Sequence, residues 1–332
     1  MTDPGIIGVS RWLDALADAS DHVVDALPAG VRRRQLGAWL DEAVSHVDDD
    51  LRARRFAQAC PVPGLEHSAW KHRVVPFLDG ALLAGIRFYG GDTARPFVDL
   101  LAWEPRVTAL TDWAPVVAAV ARAFGDFGPE SVRVRWPGQH RPPLDRTRLT
   151  VDQHLVAGRL STLRSAGRPW GWDSVDVRRT VSLDRMAQFE ERFAAWQASA
   201  GTLGRRVFPA TRAQMQACVD TGVVVELWQG PQWVGWTGAR RRRDRVLDGY
   251  QVVELFVDEP LRGRRRAVVL QRHLIDHLRD RGRDSLHGMI DGRNRASLRT
   301  ALRSGRKICE TWWFMQVAPA SDGSTAGLPP GA

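Results

Sequence analysis

Lysine and tyrosine are nearly missing from this 332-residue chain: all but Lys71 and Lys307 of its 47 basic residues are arginine, and only Tyr89 and Tyr250 carry a phenol. That bias points first to a GC-rich coding sequence, so the formal charge of +9 does not by itself imply a nucleic-acid partner. Cysteine is scarce as well. Cys60, Cys218 and Cys309 are far apart, odd in number and free of CxxC or Cys/His spacing, which excludes a disulfide framework and a zinc site. Reduced, buried thiols and no metal are expected. Nowhere do about 18 apolar residues run together, so no membrane-spanning helix is expected. The first residues also lack a basic leader, an apolar stretch and a small-residue cleavage site, and a cytoplasmic protein with no membrane partner is the expectation.

What is present suits a soluble globular protein, with 44% hydrophobic and 26% charged residues. The length fits two domains. An internal repeat organises them. VDLLAWEP at 98–105 matches VELFVDEP at 253–260 in its order of apolar, acidic and proline positions, at an offset of 155. Each is followed by a loop, an amphipathic helix and a short strand. The first helix carries Trp113, Val116, Val117, Val120 and Phe124, and the second carries Ala267, Leu270, Leu274 and Leu278, both at helical spacing. The strands that follow are SVRVRW from Ser131 and SLHGMI from Ser285.

A strand pair precedes each acidic strand: RVVPFL with ALLAGIRFYG, then VVVELW with WVGWTGAR around the turn QGPQ. Helices come before both pairs. The fold class expected is α/β (α+β): two lobes, each a mixed, mostly antiparallel twisted sheet flanked by helices. The divisions expected are a first lobe at 1–150, a linker at 151–167 with a helical stretch over 152–165, a second lobe at 168–316, and a disordered tail at 317–332. The arginine cluster at 240–245, with Asp244 and Asp248 beside it, reads as a solvated loop between strands.

Chemistry concentrates after the second acidic strand, where Arg262, Gly263, Arg264, Arg265, Arg266 and Ala267 open an amphipathic helix. Further on, GRNRASLRTALRSGR supplies Asn294, Ser297 and Gly305. The two runs together resemble the GNAT family of acyl-CoA-dependent N-acyltransferases. In that family an Arg/Gln-x-x-Gly-x-Gly/Ala loop at a helix N-terminus holds the CoA pyrophosphate through backbone amides. Arg262 and Ala267 match its ends, whereas Arg265 stands where glycine is usual. The resemblance covers roughly 168–316. The first repeat has no such loop and reads as a degenerate copy that shapes the acceptor cleft.

The resemblance implies that the fourth and fifth strands of the second lobe splay apart, with pantetheine bonding to backbone around Phe256 and Val257. It implies direct attack by a primary amine of a small molecule or protein on the thioester of acetyl-CoA. Glu254, two residues before Phe256, is the candidate base; its alternative reading is a buried acid paired to an arginine, as Asp99 occupies the same place in the first repeat. His287 is a second candidate base. The family's thiolate acid, a tyrosine seven residues after the asparagine, is replaced by Ala301, and Tyr250 lies at the wrong end of its strand. Trp312 and Trp313 should face opposite sides of the last strand, one in the core and one available to the acceptor site. The other readings are a non-catalytic acyl-CoA-binding or interaction protein, and a transferase that uses aminoacyl-tRNA.

Overall fold

In the computed structural model, which describes residues 4–20, 29–172, 175–243, 245, 247–282 and 284–318, the fold is mixed α+β and is built on one eleven-stranded sheet. The chain opens with α1 (Pro4–Ser20), α2 (Ala29–Ser45) and α3 (Asp50–Ala59). The strand pair β1 (Arg73–Phe77) and β2 (Gly80–Phe88) leads to β3 (Pro96–Trp103), a turn of helix α4 (Pro105–Thr108), α5 (Ala114–Ala123) and β4 (Ser131–Pro137). Then come β5 (Leu149–Arg159), α6 (Leu160–Ser165), β6 (Asp176–Thr180), α7 (Met186–Ser199), α8 (Gly201–Gly204) and α9 (Arg212–Thr221). The chain continues through β7 (Val223–Gln229), β8 (Gln232–Arg241), β9 (Gly249–Val257), α10 (Arg266–His277), β10 (Ser285–Asp291), α11 (Arg295–Arg303) and β11 (Lys307–Gln316).

The repeat seen in the sequence is a repeat of topology. β2 pairs antiparallel with β3, which runs parallel to β4 after the α5 crossover; β8 pairs antiparallel with β9, which runs parallel to β10 after α10. Alternation along the strands loads both sheet faces. Leu82, Ala84 and Ile86 of β2 join the core with Val116, Val117 and Val120 of α5, while Leu83 joins Leu36 and Leu40 of α2. In the second half, Val223, Val225 and Leu227 of β7 pack with Leu270 and Leu274 of α10, and Val224 with Phe189 of α7 and Met215 and Cys218 of α9.

The sheet order is β1-β2-β3-β4-β11-β5-β10-β9-β8-β7-β6. The two strands at its centre are exchanged: β5 follows β4 in sequence but lies between β11 and β10, and β11 ends the described chain but lies between β4 and β5. This corrects the expected helix over 152–165, since 149–159 is a central strand and only 160–165 is helical. The pattern misleads because β5 buries polar groups that have partners elsewhere. Asp152 accepts from Arg133 Nη1 at 2.9 Å, and His154 Nδ1 lies 3.1 Å from Thr311 Oγ1.

The arginine loop also departs from expectation. Arg245 is buried, 3.5 Å from Glu310 Oε1 with its guanidinium 4.4 Å from the Trp39 ring, and Leu247 is buried among α1 and α2 residues. Arg241 makes a forked pair with Asp284 at 2.9 and 3.0 Å. The loop therefore ties the second repeat to the first two helices. Arg243, which is exposed, pairs with Asp248 at 3.4 Å. Most of the tail lies outside the described residues. All three cysteines are free and buried.

Candidate active site

The parallel pairing of β9 with β10 covers only Gly249, Tyr250 and Gln251 against Ser285, Leu286 and His287. Beyond it the strands part, because β10 continues to pair with β5 through Asp291 while β9 follows β8 to Val257. A register shift between Gly238 and Ala239 leaves Val253 bulged at the start of the split. The result is a wedge with its apex at Gln251 and His287. Its β9 arm runs from Val252 to Val257, about 17 Å at roughly 3.3 Å per residue.

At the open end sits the loop at 262–267. Gly263 has φ +80° and Arg265 φ +61°, and Arg265 is the N-cap of α10, so two left-handed residues turn the chain into the helix. The intrahelical ladder starts with Val268 N and Val269 N donating to Arg265 O. The amides of Arg266 and Ala267 stand ahead of it in the first turn of α10, where the helix dipole favours an anion. Arg265 accomplishes with a strained non-glycine residue what glycine does freely. A cleft of about 920 Å³ adjoins the loop, lined on one side by residues 168–172 and on the other by Gly263, Arg264 and Arg266. Trp172 stacks on His273 of α10 at 3.6 Å, and Arg168 lies 5.2 Å from the Trp172 ring, so an aromatic and basic wall faces the basic loop. The sequence signal for that wall was the run RPWGW.

Arg262 is placed differently from the rest of the loop. Its Nε donates to Val257 O at 2.9 Å, and its guanidinium packs 5.1 Å from Trp196 and 5.8 Å from Phe256. The Val257 carbonyl expected to meet pantetheine is thus already bonded, and Arg262 braces the loop against β9. Phe256 is buried among Phe189, Phe193 and Trp233, leaving only its backbone to the wedge. Asn294 caps α11, its Oδ1 accepting from Ser297 N at 3.1 Å, so this pair shapes the helix that follows β10.

Glu254 projects from β9 toward α9. One carboxylate oxygen accepts from Ala210 N and the other from Leu255 N, each at 2.9 Å. Burial pushes its pKa up to about 7, and the two amide bonds pull the other way without cancelling it. Asp99, at the matching place in the first repeat, is held low despite its burial by Arg133, which donates to it at 2.6 and 3.0 Å, and by Arg87 at 3.5 Å. The two acids thus differ in kind: Asp99 is fixed as an anion in an ion pair, whereas Glu254 is poised to change protonation state near neutrality. His287 is buried at the apex, with Nδ1 3.5 Å from Ser285 Oγ. Tyr250 is buried at the closed end beneath Arg241, and Ala301 is buried against Val156 and Ile290.

The first repeat has the same split, since β3 and β4 pair in parallel only from Phe97 to Leu100. Three tryptophans gather at this end of the strands, beside a cavity of about 430 Å³ that Trp103 and Trp136 line. Trp103 and Trp136 stack at 6.2 Å, with Trp113 edge-on to them at 5.5 and 4.9 Å. Of the paired tryptophans on β11, Trp313 is buried in the core and Trp312 lies on the other face, where Arg133 and Arg135 cover it at 4.5 and 4.1 Å. That ring is taken up by the chain's own cations. Among the described residues there is no group of three or more His, Cys, Asp or Glu that would hold a metal ion, and no helix is long and apolar enough to cross a membrane.

Comparison with known proteins gives likenesses in structure alone. A GCN5-related N-acetyltransferase from Sphaerobacter thermophilus is 14% identical over 96% of this chain and 94% of its own, with a TM-score of 0.49. A tandem GNAT protein from the clavulanic acid biosynthesis pathway is 12% identical over 94% and 95%, at 0.44. A GNAT-family acetyltransferase from Colwellia psychrerythraea is 11% identical over 80% and 96%, at 0.42. No protein-family model and no curated protein matches the sequence.

Proposed function

We propose that the chain is an N-acyltransferase that binds acyl-CoA, acetyl-CoA in the first instance, in the β9–β10 wedge and passes the acyl group to a primary amine. The observation that carries this reading is the conjunction of the parting of β9 and β10 with a basic helix start at the wide end. The amides of the 263–267 segment and the Arg264 side chain take the pyrophosphate. The unpaired edge of β9 receives the pantetheine arm by backbone hydrogen bonds, as an added strand would, and places the thioester at the apex. Glu254 takes the proton of the attacking amine, directly or through water, and its pKa near neutrality suits that role. The first repeat is a degenerate lobe in which no glycine-containing basic loop follows the acidic strand, so one acyl-CoA binds per chain.

The experiment is a thiol-release assay with acetyl-CoA over a panel of primary amines. Release that depends on the amine supports the reading. Binding of acetyl-CoA with no release for any amine would leave a non-catalytic binder, a reading favoured by the alanine at position 301. Absence of both would oppose both.

A further inference from the structure

Arg306, in the turn between α11 and β11, is buried with 3% of its surface exposed, and among the described residues no carboxylate pairs with it. Its Nη2 donates to Gln271 Oε1 of α10 at 2.8 Å, Gln271 being itself buried, and its Nε has no hydrogen-bond partner. A methyl group placed on Gly288 would lie 3.5 Å from Arg306 Nη1 and 3.5 Å from Val252 Cβ. Gly288 and Val252 are the first residues of β10 and β9 beyond their last parallel pair, so the guanidinium sits against the apex of the wedge. It lies on the face covered by α10, opposite to Glu254. Burial of the unneutralised cation pushes its pKa down to about 10, which leaves it charged at neutral pH. A buried cation without a counter-ion is unfavourable unless an anion arrives to meet it.

We propose that Arg306 binds the thiolate that leaves during acyl transfer, supplying the charge stabilisation that a phenol at position 301 would otherwise provide. The proposal rests on the acyltransferase reading. In the step itself the amine lone pair forms a bond to the thioester carbonyl carbon, and the C–S bond breaks with its electron pair going to sulfur. The amine proton passes to Glu254. The CoA thiolate is held by the guanidinium, which keeps its own protons, until water protonates it. Gln271 orients the planar fork.

The test compares wild type, Arg306→Gln and Arg306→Lys in single-turnover acetyl transfer, using acetyl-CoA and a thioester of the same acyl group whose leaving thiol is far more acidic. Folding is checked by thermal melting. With acetyl-CoA, Arg306→Gln should slow the chemical step about 10²-fold with the Kd for acetyl-CoA changed less than about threefold, as for loss of one donor to developing charge. Arg306→Lys should recover part of that loss, and with the acidic thiol the deficit should shrink to about threefold or less, because that thiolate needs little stabilisation. An equal deficit with both donors, or weakened acetyl-CoA binding at an unchanged rate, would overturn the role of Arg306 while leaving the acyltransferase reading intact. A wild-type protein that acylates no amine with either donor would overturn both.

Discussion

Replacing Glu254 with glutamine separates its two consequences, one for rate and one for stability. Its carboxyl titrates near pH 7 because burial outweighs the two amide hydrogen bonds. As a general base it is half ionised at about pH 7, so kcat/KM should rise tenfold per pH unit well below 7 and level off above it. The acceptor should be a weakly basic amine, such as a hydrazine or aryl amine, so that its own ionisation falls outside this window. Glu254→Gln should lower kcat/KM by about 10²–10⁴-fold and remove the rising limb, with acetyl-CoA affinity nearly unchanged. The stability effect has a definite sign. The folded pKa is raised above the ordinary carboxylate value of 4.5, so the folded protein holds a proton that the unfolded chain gives up first. Stability from this group is full below about pH 4.5 and is lost as pH rises through about 7, by about 3 kcal/mol in all. In Glu254→Gln that fall should be absent when urea unfolding is followed from pH 5 to 8, although the amide leaves one backbone N–H without an acceptor and lowers the whole curve by about 1–3 kcal/mol. A variant that kept the rising limb in rate and the same loss of stability would refute the account of Glu254.

Further outcomes follow from the loop and the first repeat. Arg265→Gly should raise stability in thermal unfolding by up to about 1 kcal/mol, since a left-handed backbone strains arginine and not glycine; a lower melting temperature would contradict it. Arg264→Ala should weaken acetyl-CoA binding about tenfold with a reduced salt dependence, measured by calorimetry at two ionic strengths. Arg262→Ala should instead lower stability by about 1 kcal/mol through loss of its bond to Val257, and an affinity loss as large as that of Arg264→Ala would show that it reaches the ligand. Trp113→Ala, which empties the centre of the three-indole cluster, should cost about 3–5 kcal/mol in urea unfolding.

The elements that obey local rules were legible in the sequence. The apolar stripe of α5 at Val116, Val117 and Val120, the hairpin of β7 and β8, and the acidic strands β3 and β9 stand where periodicity and turn residues put them. What escaped depends on partners distant in sequence. β5 carries Asp152 and His154 because Arg133 and Thr311 satisfy them inside the sheet, and no pattern within 149–159 announces those partners. The exchange of β5 and β11 is likewise a property of pairing between the two repeats. The turn into α10 at 263–266 stands where the run after the acidic strand β9 put a helix start, and Glu254 lies on that strand. The fold of Arg262 back onto Val257 and the burial of Arg306 beneath α10 follow only from where the chain returns, and the same is true of Arg245 against Trp39.

The central claim is that the β9–β10 wedge and its basic helix start form an acyl-CoA site, and calorimetric titration of the full chain with acetyl-CoA tests it most directly. The account predicts saturable binding with one site per chain, weakened by Arg264→Ala and unchanged by Glu254→Gln. Absence of binding at millimolar acetyl-CoA, or binding that Arg264→Ala does not alter, would contradict it.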